Sequence, residues 1–260
     1  AERRFRSLEM KLQTDSEFRK MYLDFMSEYH ALGHMVEWSD PDWSSPHNVL
    51  PHHGVFKAHS STPKLRTVFD ASCKTSSGLS LNDVLMTGPK FQNNICDILI
   101  NFRLHNVFFC TDIRHMFRAI KVHPNDQRFQ LILWRNLPSQ TISTYKLTTV
   151  TYGMSSSPYL AIRTLRQLAE DEGHKFPRAA EVLQHQSYVG DIISGGSSVE
   201  EALELQNQLI QLLKLGGFEL RKWLLEWGIS NSPQLLQGLP QDHCEIPVFL
   251  QQSENPHFSI

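Results

Sequence analysis

Two short apolar runs, each carrying a single aspartate, constrain the fold of this chain more than any other feature. The run NVFFCTDI, residues 106–113, is almost continuously apolar and reaches Asp112 near its end. The run SYVGDIISGG, residues 187–196, consists of a short apolar segment, a tight turn that carries Asp191, and a second apolar segment. Patterns of this length bounded by polar residues indicate buried strands, and the second one indicates a hairpin. The two runs therefore favour a sheet that holds both carboxylates.

The remaining sequence alternates between strand-like and helix-like segments, which predicts an α+β protein whose strands pair as a central antiparallel sheet. Strand patterns cover residues 48–58, 64–72, 128–134 and 145–152, and helix patterns cover residues 1–35, 93–105, 155–173 and 198–216. In the first helical stretch, Thr14 and Glu17 have the spacing of a capping box. The turn-rich stretch SDPDWSSPHN, residues 39–48, predicts a boundary after this helical segment.

Composition and charge restrict the partners of the chain without identifying them. Its longest apolar runs are far too short to span a bilayer, so no membrane partner is expected. The net charge of −2 alone gives no indication of nucleic acid, but residues 51–110 hold six basic and three acidic side chains, a local balance of +3. This balance is compatible with phosphate binding and equally with an ordinary mixed surface. His30 and His34, four residues apart, are either a candidate metal-binding pair on a helix or two solvated histidines.

Asp112 and Asp191 allow two interpretations when they are taken alone. A carboxylate buried at a strand end is costly unless a cation neutralises it. Two metal ions about 4 Å apart, held by carboxylates, are the usual means of in-line nucleotidyl transfer, and Mg²⁺ needs few protein carboxylates when substrate phosphates supply further oxygens. The alternative is that both aspartates are turn and strand-end residues of an unrelated α+β domain.

The motifs around the two aspartates resemble the reverse transcriptase domain of the Pao (BEL/Pao) class of LTR retrotransposons. The resemblance is carried, in the family order, by KLRTVFDAS, SLNDVLMTGPKFQ, CTDIRHMFRAI, RFQLILWR, TYGMSSSPYLA, YVGD and GGFELRKW, and it extends from about Leu50 to Trp223. It implies a right-hand polymerase fold with a central antiparallel palm sheet packed on helices. The implied division is a helical segment and linker at 1–45, fingers and palm at 46–225, and the start of a thumb or connection at 226–260. Within the second part, the fingers would cover about 46–106 and 118–151, and the palm about 107–117 and 152–225.

By this resemblance, Asp112 matches the first catalytic aspartate and Asp191 the last residue of the Tyr-x-Asp-Asp turn. Both would be metal ligands, with two Mg²⁺ or Mn²⁺ ions expected in an intact site. The chain departs from the family at Gly190, which stands where the family has the aspartate that bridges both ions. Loss of one charge-stabilising group often costs about 10²–10³ in rate, so the resemblance implies an impaired enzyme.

The resemblance also implies residues that bind the incoming nucleotide. Arg66 matches the fingers arginine that grips the triphosphate, for which a planar guanidinium is well suited, and Lys57 is a weaker match for a fingers lysine with the same role. Phe117 matches the aromatic gate under the sugar, a role compatible with ordinary core packing. The remaining matches are Tyr152 and Gly153, for contact with the nucleotide and template, and Lys222, for a candidate proton donor or a surface lysine.

The function implied is an RNA-directed DNA polymerase that extends a primer 3′-OH on an RNA or DNA template with deoxynucleoside triphosphates. The resemblance implies a cytoplasmic protein, in some settings packaged in virus-like particles, and polyprotein neighbours (protease, RNase H and integrase) that this chain does not contain. One alternative is a catalytically inactive palm scaffold that binds nucleic acid or a protein partner. Another is an unrelated metal-dependent nucleotidyl enzyme with a palm-like sheet.

Overall fold

The computed structural model describes residues 1–39, 42–56, 65–224, 233–237 and 239, which form an α+β protein. Its helices are α1 Glu2–Thr14, α2 Ser16–Ala31, α3 Leu81–Val84, α4 Ile95–Phe102, α5 Met116–Ala119, α6 Ser157–Glu172, α7 Pro177–His185 and α8 Val199–Leu215, with short 3₁₀ turns at Gln127–Phe129, Gly173–Lys175 and Pro233–Leu236. Its strands are β1 Met35–Glu37, β2 His52–Phe56, β3 Leu65–Phe69, β4 Val107–Ile113, β5 Leu131–Trp134, β6 Ser143–Leu147, β7 Ser187–Tyr188, β8 Asp191–Gly196 and β9 Leu220–Leu224. The chain divides into two compact units, residues 1–89 with 117–160, and residues 90–116 with the described residues from 161 onward.

The first unit packs the N-terminal helices against two antiparallel sheets, β1-β6-β5 and β2-β3. Phe18, Tyr22 and Tyr29 form the buried face of α2 in the core of this unit. The predicted continuous helix is wrong, since the backbone of Asp15 is extended and separates α1 from α2. Asp15 accepts a hydrogen bond from the Phe18 amide, so it is the N-cap in place of the expected Thr14.

A buried histidine connects α2 with both sheets of the first unit. His52 on β2 is 4% exposed, and its Nε2 lies 2.9 Å from the carbonyl oxygen of Leu133 on β5. A carbonyl oxygen can only accept, so Nε2 carries the proton and Nδ1 accepts from the Tyr22 hydroxyl. Desolvation by burial lowers the pKa of His52 to about 4, against an ordinary value of 6.5.

The candidate histidine pair does not lie on one helix. The helix α2 ends at Ala31, and the left-handed backbone of Gly33 (φ +69°) turns the chain away from it. His30 is exposed in the last turn, whereas the ring of His34 packs beside that of Tyr29, with 5.1 Å between ring centroids. The i, i+4 geometry that suggested a metal-binding pair is therefore wrong.

The second unit is built on a four-stranded antiparallel sheet with the order β7-β8-β4-β9. The helix α8 lies within the helix pattern predicted at 198–216 and packs on this sheet through an apolar face that includes Leu205, Leu209 and Leu212. Its N-cap is Ser198, whose side chain accepts from the Glu201 amide. The helix α7, which buries Ala179, Val182 and Leu183, was not predicted. Among the described residues, no helix combines the length and apolarity needed to cross a bilayer.

Candidate active site

The two predicted carboxylates lie opposite each other in the sheet of the second unit. Asp112 is the penultimate residue of β4 and Asp191 the first residue of β8, and their Cα atoms are register partners. The five pairs that precede them along the same ladder, from Val107↔Gly196 to Thr111↔Ile192, fix this register. A one-residue slip would turn one of the two side chains to the other face of the sheet. The pairing therefore places both carboxylates on one face.

The turn between β7 and β8 is formed by Val189 and Gly190. Val189 has φ +55°, a left-handed conformation that is strained for a β-branched residue. Gly190 lies outside the left-handed region, and its carbonyl oxygen accepts from the Ile113 amide at 2.9 Å. A Cβ atom built on Gly190 would lie 3.6 Å from Asp112 Oδ1 and 3.4 Å from Met116 Sδ, which are ordinary van der Waals contacts. A side chain at position 190 would thus have space and would project towards the carboxylate of Asp112.

Two consecutive cations, Arg221 and Lys222 on β9, border the carboxylates. The β4–β9 ladder pairs Asp112 with Arg221 and Cys110 with Leu224, so β9 contains one extra residue, a β-bulge. The left-handed φ of Lys222, +58°, lies within this bulge. Arg221 Nε donates to Asp112 Oδ2 at 3.1 Å, and both side chains are about 30% exposed.

The carboxyl group of Asp191 is held in an unusual electrostatic environment. Partial desolvation raises its pKa above the ordinary value even though the residue as a whole is exposed, and the negative charge of Asp112 raises it further. The positive charge of Lys222 acts in the opposite direction. Lys222, matched to a proton donor by resemblance, therefore acts electrostatically on a carboxylate of the site.

Gln92, which the sequence reasoning missed, holds the turn in place. Its Oε1 accepts from the Val189 amide at 3.1 Å, and the next residue, Asn93, donates from Nδ2 to the carbonyl oxygen of Gln184 on α7 at 2.8 Å. Gln92 directly precedes the helix pattern predicted at 93–105, and Asn93 is the first residue of that pattern. A glutamine at such a position gives no signal for a contact with a residue 97 positions away.

Arg66, Tyr152 and Gly153 come together in the first unit. Arg66 is exposed on β3, and its guanidinium carbon lies 5.6 Å from the centroid of the Tyr152 ring. The Tyr152 hydroxyl donates to the carbonyl oxygen of Thr67. Gly153 has φ +93°, and a Cβ built there would lie 2.7 Å from the carbonyl oxygen of Phe69, so only glycine fits without a shift of the backbone.

Asn82 forms hydrogen bonds with the backbone of this group and was also missed by the sequence reasoning. Its Nδ2 donates to the Gly153 carbonyl oxygen at 3.0 Å, and its Oδ1 accepts from the Ser155 amide at 2.8 Å.

Phe117 is half-buried in α5 of the first unit, and Lys57 lies outside the described residues.

The residues present do not fit a two-ion metal centre. Within the described ranges, no group of three or more His, Cys, Asp or Glu side chains is arranged to hold a metal ion. The site offers two carboxylates, and one oxygen of Asp112 is already paired with a guanidinium. A third donor is missing because position 190 is glycine.

Comparison with solved structures identifies the fold. No protein-family model and no curated protein matches this sequence. The foamy viral protease-reverse transcriptase in complex with double-stranded DNA is similar, with TM-score 0.58 and 17% identity over 77% of this chain and 30% of that one. The same kind of protein with an RNA/DNA hybrid has TM-score 0.56 and 17% identity, over 77% of this chain and 23% of the other. The prototype foamy virus protease-reverse transcriptase has TM-score 0.60 and 16% identity, over 81% and 24% of the two chains.

These matches show that the chain has the fingers-palm fold of reverse transcriptases, with N-terminal helices and antiparallel sheets. The predicted fold class is thereby confirmed. The chain spans less than a third of the length of each of these three proteins.

Proposed function

We propose that this chain is the polymerase domain of a reverse transcriptase that binds template-primer and, with the residues it has, transfers nucleotides weakly or not at all. One observation carries this proposal: Asp112 and Asp191 are register partners, and a side chain at position 190 would project towards Asp112. This arrangement supports the proposal of a polymerase carboxylate site that lacks one side chain.

The residues of the first unit would serve the incoming nucleotide. Arg66 is exposed and has the planar donors that suit triphosphate oxygens, while Tyr152 and Gly153 form a close-packed support beside it. Phe117 would exclude the 2′-hydroxyl of ribonucleotides, and Lys57 would assist Arg66. We propose that the main role of Lys222 is electrostatic, because its positive charge lowers the pKa of Asp191, and that proton donation is secondary.

The proposed partners follow from the similar proteins. Foamy viral protease-reverse transcriptases have been solved with double-stranded DNA and with an RNA/DNA hybrid. We propose that this chain binds such duplexes and deoxynucleoside triphosphates. The sequence resemblance supports the finer proposals of a Pao-class polyprotein, a cytoplasmic location, and the division into helical segment, fingers, palm and thumb given above.

The alternative function, a catalytically inactive scaffold, has specific support. The glycine at position 190 supplies no metal-binding carboxylate, and the ion pair with Arg221 neutralises the carboxylate of Asp112. A chain that binds duplex without extending it would have this combination of features. Both functions share duplex binding and differ only in chemistry.

Duplex binding is tested by fluorescence anisotropy of a labelled RNA/DNA hybrid with a recessed DNA 3′ end. We expect the logarithm of the binding constant to fall linearly as the logarithm of salt concentration rises between about 50 and 200 mM, because phosphate contacts release counterions. Binding that does not depend on salt, or absence of binding at the lowest salt, would contradict the proposal.

A further inference from the structure

The β-bulge on β9 brings two consecutive side chains to the carboxylates. In a regular strand, neighbouring side chains point to opposite faces, so only one of Arg221 and Lys222 would face Asp112 and Asp191. The extra residue between the pairs Asp112↔Arg221 and Cys110↔Leu224 breaks this alternation. Arg221 then contacts Asp112 directly, and the charge of Lys222 acts on Asp191.

The backbone on either side holds Arg221 in this position. The Thr111 hydroxyl donates to the Arg221 carbonyl oxygen at 2.9 Å. Two residues later, Trp223 is 1% exposed, and the centroid of its ring lies 5.4 Å from the centroid of the Phe109 ring. These anchors fix the strand on both sides of Lys222, so Arg221 remains beside Asp112.

The charges of the group cancel. Asp112 and Asp191 carry two negative charges when ionised, and Arg221 and Lys222 carry two positive charges. The neighbouring pair of Arg114 and Glu219, with 3.0 Å between Nη1 and Oε2, adds no net charge. A guanidinium does not lose its proton in proteins, so the positive charge that Arg221 places beside Asp112 is permanent.

We propose that Arg221 is the resident counter-cation of Asp112 while position 190 is glycine, and that it competes with divalent cations for this carboxylate. The carboxylate pair then takes at most one divalent cation, on the side of Asp112 Oδ1 and Asp191. This inference deepens the proposed function and rests on it for the identity of the site. The geometry carries it: Oδ2 of Asp112 is bound by Arg221, and Oδ1 faces the turn at Gly190.

The test is Mn²⁺ binding to the whole chain without nucleic acid, followed by electron paramagnetic resonance of the free ion. We expect wild type to bind at most one Mn²⁺. We expect Arg221→Gln to bind Mn²⁺ about tenfold more tightly, because one close charge changes the proton affinity of a carboxylate by at least about that factor. Arg221→Lys keeps the charge and should bind as weakly as wild type. Asp112→Asn in the Arg221→Gln background should abolish the gain.

Arg114→Gln is the matched control, since it removes the same charge from a residue paired with Glu219. We expect it to change the affinity less than about twofold, because that arginine does not contact Asp112. Thermal unfolding checks that each variant folds, and Arg221→Met, which keeps the aliphatic stem, replaces Arg221→Gln if that variant does not. Equal affinities of wild type and Arg221→Gln, or an equal gain in Arg114→Gln, would overturn the inference. Because the assay contains no duplex, such a result would leave the proposed function to its own test.

Discussion

Asp112 and Asp191 are Cα register partners in the β4–β8 ladder, and Gly190, in the turn that precedes Asp191, has no side chain to project towards Asp112. This relationship is set by backbone pairing, not by the side chains themselves, because the ladder continues through five further pairs. The loss of a side chain at position 190 therefore leaves the framework of the site intact.

Position 190 should accept a side chain, whereas position 153 should not. Gly190→Ala introduces a Cβ at ordinary contact distances, so we expect the free energy of unfolding to change by less than about 1 kcal/mol. Gly153→Ala, the matched control, places a Cβ at 2.7 Å from a backbone oxygen with φ +93°, and should destabilise by about 2 kcal/mol or more. Urea unfolding followed by circular dichroism measures both. Equal losses in the two variants would contradict the described backbone at Gly190.

Gln92 should hold the strained turn at Val189. Gln92→Glu keeps an oxygen acceptor for the Val189 amide, whereas Gln92→Leu leaves that amide without its acceptor. We expect hydrogen exchange at the Val189 amide to stay slow in the Glu variant and to become at least tenfold faster in the Leu variant, since loss of a hydrogen bond of about 1.5 kcal/mol corresponds to that factor. Similar exchange rates in the two variants would show that Gln92 does not hold the turn.

His52 should make the chain less stable in mild acid. Because its folded pKa of about 4 lies below the ordinary 6.5, the unfolded chain takes up a proton first as the pH falls. The contribution of His52 to stability is complete above about pH 6.5 and is lost between there and pH 4, a total of about 3 kcal/mol. His52→Gln retains a donor for Leu133 and an acceptor for Tyr22 but does not titrate. The difference in the free energy of unfolding between wild type and this variant, measured with urea, should change between pH 6.5 and pH 4. A difference that stays constant over this range would refute the assignment.

Local patterns in the sequence predicted the elements that position the carboxylates. The strands β4 and β8 follow from apolar runs, and the end of α8 follows from the glycines at 216 and 217. The helix pattern predicted over residues 1–35 crosses Asp15, whereas the side chain of Asp15 caps a new helix, one residue after the Thr14 of the predicted capping box. The predicted roles of Asp112, Asp191 and the nucleotide-binding residues stay predictions.

The contacts that decide the chemistry of the site could not be found from the sequence. Arg221 lies 109 positions from Asp112 and faces it as its register partner in the β4–β9 ladder, next to a bulge that has no periodic signature. Gln92 reaches Val189 across a similar distance in sequence. Such contacts depend on strand register and on one extra residue in a ladder, and neither is encoded in local periodicity.

Primer extension tests whether this is a polymerase site that lacks one carboxylate. Wild type and Gly190→Asp are compared on an RNA template with a DNA primer in the presence of Mg²⁺ or Mn²⁺, with Asp112→Asn in the Gly190→Asp background as the control. We predict little or no product from wild type, an increase of about 10² or more for Gly190→Asp, and loss of that gain in the control. Absence of product from a folded, duplex-binding Gly190→Asp variant would contradict the claim and favour the inactive scaffold.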